Sequence, residues 1–499
     1  MWNRCCFAGG MATRIKDRLR SVVASPRKYH IALSLFFLAF LIYNLNFRPI
    51  PSGDTLPAAL LPFSLLEYHS LYFDGFSSYI DSMDGPYMFA VGKGHYLSTY
   101  PIITSILVTP LYIIPYLLLK IIGCPIDPAS PLFWASAQIM EKIAASIIAS
   151  FSVVLMYLIL VKITDTKTAL ITSLIFAFAT NTWTISSQAL WQHGMVELLL
   201  CLMIFVVILN EERRLDIHFA VLGLLTALSV FNRPSDTLLL LPVIAYAIIA
   251  SNGRERLGYL LTATLCSIPV IWYNLYHFGN FFGGYGSLLS WFGFDATFAV
   301  SFLGLLISPS RGLLVYTPII LLSLFGYFEL RKLPDTRIRQ FLYLAGISVL
   351  LEILVYSSFE VWWAGWSYGP RFLTGSLPVL TIFMGIYLHN FLNRKTDRTK
   401  KLQAVVILVL VAWSVFVQVT GAFCYPNGNW DGSPASVDVS ERLWDFNDTQ
   451  ISRSYSAGVY WIHPIARIQD AITSLRDRGA SPSDIIIPPD TPDPPNRVP

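Results

Sequence analysis

Long apolar runs separated by short polar segments make up most of the chain between residues 31 and 420. An α-helix needs about 20 mostly apolar residues to cross a bilayer, and runs close to that length recur throughout this region. The pattern therefore predicts an all-α polytopic membrane protein with about eleven transmembrane helices. The predicted spans cover residues 31–46, 141–161, 168–181, 195–209, 217–232, 237–250, 257–274, 314–328, 341–357, 375–392 and 402–420.

One further apolar run, residues 101–123, does not fit this pattern. Pro110 and Pro115 lie inside it, and a proline removes a helix hydrogen bond and clashes with the preceding turn. Counting the run as one span would also reverse the side of every later loop. We therefore assign residues 99–123 to a re-entrant segment or a segment on the outer membrane surface. If the run does span, a second span near residues 132–139 would bring the count to about thirteen.

Composition and charge agree with a membrane protein and set its orientation. Hydrophobic residues make up 54% of the chain and charged residues only 13%, which excludes a soluble globular domain. The net charge of +4 reflects loop placement and indicates no nucleic-acid partner. The N-terminal tail and every second later loop hold 22 of the 35 lysines and arginines. By the positive-inside rule that side is cytoplasmic, and the C-terminus lies outside the plasma membrane.

This topology divides the chain into regions with different expected roles. Residues 1–30 form a basic cytoplasmic tail, and residues 31–420 form the transmembrane domain. Residues 47–98 form a long first outer loop with juxtamembrane helices. Residues 421–478 form an outer C-terminal region, and the Pro- and Asp-rich residues 479–499 are expected to be disordered. Inner loops are short basic connectors, whereas outer loops are long and chemically varied, so we expect the function on the outer face.

Asp54, in the segment PSGDTLPAALLPFS directly after the first span, is the first candidate for chemistry. Aspartate is a preferred helix N-cap, so a capping or simply solvated carboxylate explains it without any function. A carboxylate at the membrane boundary is also placed to act as a general base on a hydroxyl. Other acids share this loop, so acidity alone does not single out Asp54.

Basic residues on the outer face form a second group of candidates. Lys93 lies between glycines in VGKGHYLSTYP, where it suits a lipid phosphate or ordinary snorkelling to headgroups. Arg233, Arg311 and Arg371 each stand at the outer end of an apolar run. Snorkelling explains any one of them, but the three together favour an anionic ligand, because guanidinium forks bind phosphate and carboxylate.

Aromatic residues concentrate in the outer segment FEVWWAGWSYGPRF. An interfacial aromatic belt is one explanation, but flat rings interleaved with polar groups and glycine turns also suit a sugar or isoprenoid site. The histidine near a tryptophan in ALWQHG is either structural, a proton carrier or a metal ligand. The candidate contacts to sugar, lipid or acceptor are Trp362, Trp363, Trp366, Tyr368, Glu360, His193 and Tyr96.

Taken together, these features resemble the GT-C superfamily of polytopic glycosyltransferases, which use polyprenyl-phosphate sugars. The chain is most similar to prokaryotic proteins of the glycosyltransferase family 39 type, such as protein mannosyltransferase and aminoarabinose transferase. The resemblance covers about residues 30–455 and rests on the strings GDTLPAALLPFSLL, YFDGF, STYPI, SRGLLVYTP, WWAGWSYGPRF and LWDFNDTQISR. The chain departs from the family's Asp-Glu pair, because residue 55 is threonine.

The resemblance implies that Asp54 is the catalytic carboxylate, which activates an acceptor hydroxyl for inverting attack on the sugar. It implies that Arg311 and Arg371, with Lys93 and Arg233, bind the donor phosphate. The implied partners are a polyprenyl-phosphate-linked sugar, a glycan, lipid or protein acceptor, and membrane lipids. No cofactor is required by these residues, and Thr55 leaves the need for a divalent metal open.

Two other functions remain open from the sequence. A lipid-linked polysaccharide polymerase or ligase would also use outer-face arginines, but it needs no acid after the first span. A polytopic lipid or solute transporter would place charges at mid-bilayer depth and show internal repeats. The chain has no repeat visible by inspection, and Glu352 is the main acid inside a later span.

Overall fold

The computed structural model describes residues 26–83, 85–286, 292–293 and 297–460. Helices dominate it, and the two strands of the described residues are Phe89–Gly92 (β1) and His95–Ser98 (β2), which pair antiparallel. The helices are Pro26–Asn44 (α1), Leu56–Tyr68 (α2), Ser77–Asp81 (α3), Ile103–Ile121 (α4), Pro131–Ile163 (α5), Thr166–Phe178 (α6), Gln192–Glu212 (α7), Asp216–Asn232 (α8), Leu241–Ile249 (α9), Gly253–Phe278 (α10), Phe298–Ile307 (α11), Leu313–Tyr316 (α12), Leu322–Glu329 (α13), Thr336–Ser357 (α14), Leu377–Asn393 (α15), Arg398–Cys424 (α16), Ser440–Leu443 (α17) and Gln450–Ala457 (α18).

The predicted all-α polytopic fold is confirmed. Within the described residues, six helices are long and apolar enough to cross a membrane, and five shorter apolar helices accompany them. Helix α5 lies at the centre, packed against α1, α6 and α7, and its inward face is lined by small residues such as Ala144, Ala145 and Ala149. The number of spans and the domain boundaries stay predictions, as does the orientation. The tails at 1–25 and 461–499 lie outside the described residues.

The expectation that prolines break the run at residues 101–123 is wrong. Helix α4 is continuous from Ile103 to Ile121 with Pro110 and Pro115 inside it. Its ends contact elements near the outer loop: Thr104 bonds to Asn232 at the end of α8, and Lys120 pairs with Glu67 at the end of α2. Residues 132–139 form no separate span, because they belong to the 33-residue helix α5.

The connection from α1 to α2 forms one wall of the candidate site. The Ser52 hydroxyl accepts a hydrogen bond from the Asp54 N–H, and the Ser52 N–H donates to the Thr55 hydroxyl, which forms a capping box. Pro57 then sits in the first turn of α2, where its missing N–H costs nothing. Ser52 therefore caps the 3-10 turn Gly53–Thr55 that leads into α2, and the side chain of Asp54 is left for other contacts.

Candidate active site

The carboxylate of Asp54 lies in a pocket of hydrogen-bond donors. Its Oδ2 accepts from Nη1 of Arg371 at 2.7 Å. Its Oδ1 accepts from the hydroxyl of Tyr100 at 2.6 Å and from that of Tyr87 at 3.0 Å. The side chain is 20% exposed, so one edge remains open to a ligand. Asp54 is thus neither the helix cap nor a solvated acid, the two explanations that the sequence left open.

These contacts determine the charge of the site. Burial alone would raise the pKa of Asp54, but Arg371 and the hydrogen bonds from Tyr100, Arg371 and Tyr87 outweigh it and lower that pKa. Burial and the neighbouring Asp54 raise the pKa of Tyr100 and of Tyr87. The carboxylate is therefore ionised at neutral pH, and both phenols stay protonated as donors to it.

The backbone around Asp54 allows this close approach. A Cβ on Gly53 would lie 2.4 Å from the hydroxyl of Tyr87, so a larger residue there would require that phenol to move. The strands β1 and β2 lie between Tyr87 and Tyr100 in the chain and bring both phenols to the same carboxylate. On the opposite side, the guanidinium of Arg371 lies 4.3 Å from the ring centre of Trp191, which fixes its plane.

A second arginine lies close to this pair. The guanidinium of Arg233 is 5.6 Å from the ring centre of Phe372, and that of Arg371 is 5.8 Å from the same ring. Arg233 pairs with Asp236 at 2.8 Å. The ring of His193 is 6.4 Å from that of Phe372, and its Nδ1 is buried without a partner in the described structure. Three of the predicted residues, Arg371, Arg233 and His193, are thus gathered around one phenylalanine next to Asp54.

Arg311, predicted as a phosphate ligand, has a different environment. All five of its N–H groups donate to the protein, and the side chain is 1% exposed. The acceptors are Asp431 and Gln450 and the carbonyls of Ser310, Trp363 and Gly365. No donor is left for a phosphate, so Arg311 holds the outer C-terminal region against the bundle in this geometry.

Arg311→Met is therefore expected to lower the free energy of unfolding by about 3 kcal/mol, because it leaves Asp431 buried without its cation. Chemical denaturation of the purified variant would measure this. Arg254→Met is the control, because Arg254 is 87% exposed and pairs with Asp216 at 3.4 Å, so no measurable change is expected. Unchanged stability of the Arg311 variant with weakened donor binding would instead restore Arg311 as a phosphate ligand.

Lys93 and Tyr96 are not brought to Asp54. Lys93 is exposed at the β1–β2 turn with a positive φ of 55°, and its ammonium lies 5.9 Å from the ring centre of Tyr276. The hydroxyl of Tyr96 donates to Asp81. Both residues line the outer surface of the first loop, and their predicted roles stay predictions.

Two of the aromatic candidates, Trp362 and Tyr368, are buried in packing contacts, and the others are more open. Trp362 is buried with its ring against Gly304, where a Cβ would come within 2.3 Å. Tyr368 is buried and donates to the carbonyl of Val417 at 3.0 Å. Trp363 donates to Asp438 at 3.1 Å, and Trp366 is half-buried. Glu360 is exposed.

Several residues of the site were missed from the sequence. Tyr87 and Tyr100 donate to Asp54, Trp191 stacks on Arg371, and Tyr285 lies 5.9 Å from the ring of Tyr100. Tyrosine and tryptophan are common at membrane interfaces, so nothing in the pattern separated these from the others.

The residues around Asp54 do not form a metal-binding set. Its neighbours are a guanidinium and two phenols, and within the described ranges no three His, Cys, Asp or Glu side chains are grouped to hold an ion. The chemistry available at the site is that of a carboxylate, phenol donors and arginines.

No protein-family model matches the chain, and no curated protein matches it in sequence. Several solved structures do match the chain. The archaeal oligosaccharyltransferase AglB from Archaeoglobus fulgidus, in complex with an inhibitory peptide and a dolichol-phosphate, matches with a TM-score of 0.46 and 11% identity over 78% of this chain. This chain covers 56% of that one. ArnT from Cupriavidus metallidurans bound to undecaprenyl phosphate matches with a TM-score of 0.46 and 10% identity, over 91% of this chain and 80% of that one.

TM-scores below 0.5 at 10–11% identity carry no argument about activity, substrate or site residues. The activity, substrate and site residues of this chain are therefore proposed from its own side chains.

Proposed function

We propose that the protein is an integral membrane glycosyltransferase that transfers a sugar from a polyprenyl-phosphate donor to an acceptor hydroxyl, with inversion at the anomeric carbon. The observation that carries this proposal is the Asp54–Arg371 ion pair of 2.7 Å. It supports the proposal because a carboxylate suited to act as a general base lies in contact with a guanidinium suited to bind phosphate, and transfer from a sugar phosphate to a hydroxyl uses both groups.

Arg371 has hydrogen-bonding capacity that Arg311 lacks. Its Nη1 donates to Asp54, while its Nε is buried without a partner among the described residues. A buried donor without an acceptor is costly, and a phosphate oxygen would satisfy it. Arg233, on the other side of Phe372, is already paired with Asp236 at 2.8 Å, so it would add only a partly neutralised positive charge near the same phosphate.

In the reaction, Asp54 would accept the proton of the acceptor, and the arginines would stabilise the departing phosphate. The acceptor oxygen forms a bond to the anomeric carbon, and its proton passes to the carboxylate of Asp54. The bond from that carbon to the donor phosphate oxygen breaks, and its electron pair stays on the phosphate. Arg371 and Arg233 would stabilise this charge as it develops, which is usually the largest contribution to catalysis.

The resting ion pair also supports an order of binding. While Arg371 neutralises Asp54, the carboxylate has a low pKa and is a weak base. A donor phosphate would compete for Arg371 and leave Asp54 with less positive charge beside it, which raises its proton affinity. Donor binding before acceptor deprotonation follows from this arrangement. We place the reaction on the outer face of the plasma membrane, with a glycan, lipid or protein as acceptor.

The test uses the purified protein in nanodiscs with a panel of polyprenyl-phosphate sugars and a hydroxyl acceptor. Release of polyprenyl phosphate is followed over time, with empty nanodiscs as the control. Release from one donor is expected and would name the sugar. A folded protein that releases nothing from any donor would contradict the proposal and favour a polymerase acting on lipid pyrophosphates, or a transporter.

A further inference from the structure

Two cations are buried away from the contacts of Asp54, where α1 ends and the first outer loop begins. Arg48 is 3% exposed and Lys142, on α5, is 4% exposed. A short series of hydrogen bonds links them. Lys142 and Asn46 both donate to the side-chain oxygen of Gln188, and Asn46 and Arg48 both donate to the carbonyl of Ala422.

Neither cation has a carboxylate partner. In the described part of the chain no acidic oxygen lies within ion-pair distance of either, and Arg48 otherwise donates to the carbonyl of Tyr425 and faces the ring of Tyr460 at 4.9 Å. Glu141 adjoins Lys142 in sequence, but it accepts from the backbone N–H of Leu190 at 3.2 Å.

The other buried cations of the described residues behave differently. Arg233 pairs with an aspartate at 2.8 Å, Arg311 at 2.8 Å and Arg442 at 2.6 Å. Buried charges are paired as a rule, because an uncompensated charge is costly to remove from water. Among the buried lysine and arginine side chains of the described residues, Arg48 and Lys142 are therefore the two without a carboxylate partner.

The pair also has unused donors. The Nε of Arg48 is buried and donates to nothing in the described ranges. Burial lowers the pKa of Arg48 only to about 10, so it stays charged at neutral pH. The guanidinium of Arg48 and the amine of Lys142 offer several N–H groups to phosphate oxygens, and the positive charge of Arg48 complements the charge of a phosphate.

We propose that Arg48 and Lys142 form a second anion site, which binds a phosphate group from a phospholipid headgroup or from inorganic phosphate. Arg48 follows α1 at the predicted end of the first span, the depth at which lipid headgroups lie. The site is held together by α1, α5, the segment with Gln188 and the end of α16, so its occupation would link these elements. This inference does not depend on the transfer reaction.

The test compares thermal unfolding of the purified full chain in sodium phosphate and in sodium chloride at equal ionic strength. Phosphate is expected to raise Tm of the wild type by about 2 °C when it saturates the site. Lys142→Met should lose that shift. Lys162→Met is the matched control, because Lys162 is on the same helix but pairs with Glu212 at 2.8 Å, and it should keep the shift.

Native mass spectrometry separates the two sources of phosphate. If a phospholipid fills the site, inorganic phosphate will not shift Tm, and one tightly held anionic phospholipid will be retained by the wild type and Lys162→Met but lost from Lys142→Met. Either pattern supports the proposal. The proposal is overturned if phosphate does not shift Tm and the three proteins retain the same lipids, or if Lys142→Met responds to phosphate as the wild type does.

Discussion

Asp54→Asn is expected to slow sugar transfer by about 10⁴-fold, the upper range for loss of a general base. Asparagine preserves the shape of the side chain and can still accept from Tyr100 and Tyr87, but it cannot take a proton from the acceptor. It also no longer neutralises Arg371, which now donates to the carboxylate at 2.7 Å. Donor binding should therefore be retained or become tighter. Single-turnover release of polyprenyl phosphate would measure the first effect and equilibrium donor binding the second.

The matched control is Asp74→Asn. Asp74 lies in the same outer loop, but its carboxylate pairs with His95 at 2.6 Å and is 46% exposed. If acidity of the loop mattered only for folding or for surface charge, both variants would behave alike. A well-folded Asp54→Asn protein with full transfer activity would remove Asp54 from the mechanism and leave its cluster of donors a purely structural feature.

The apolar runs predict the helices well because burial in a bilayer requires every backbone group to be paired within its own segment. The same requirement explains why the expectation that prolines break the run at residues 101–123 was wrong. Pro110 and Pro115 each remove one backbone bond, but they do not end the helix when neighbouring elements hold it on either side. Here α4 packs along α2 and α5, contacts that no local pattern reveals.

The charged members of the site were predictable from the sequence, but its aromatic members and its contacts were not. Asp54 and Arg371 were both singled out from their positions at the ends of apolar runs, yet 317 residues separate them. A single sequence gives no sign that these two residues meet. Tyr87 and Tyr100 could not be distinguished from the rest of the 25 tyrosines, because only the fold shows which tyrosines face the carboxylate.

Arg311 and Arg371 have similar positions in the sequence but different hydrogen-bond partners in the structure. Like Arg371, it ends an apolar run and precedes a buried helix. The difference lies in the outer C-terminal region, where Asp431 and Gln450 use its donors. Whether an arginine is free to bind a ligand depends on what the rest of the chain places against it, and that is a property of packing.

Arg371→Gln is expected to lower kcat/KM for the donor by about 10³-fold, because it removes the charge nearest both the base and the departing phosphate. Glutamine can still donate one hydrogen bond to Asp54, so folding should change little. Steady-state kinetics with varied donor would measure the loss. Arg394→Gln is the control at the other end of α15, where the arginine is 42% exposed, and it should leave kcat/KM unchanged.

A second substitution separates phosphate binding from mere positioning of Asp54. Arg371→Lys keeps a positive charge that can pair with the carboxylate, but it loses the planar fork and the Nε donor that now has no partner. If Arg371 only orients Asp54, lysine should restore most of the rate. If it also binds the donor phosphate, the lysine variant should keep a raised KM for the donor with a smaller loss in kcat. Full recovery of both parameters in Arg371→Lys would show that the guanidinium makes no specific contact with the donor, and would reduce its role to the charge that it places beside Asp54.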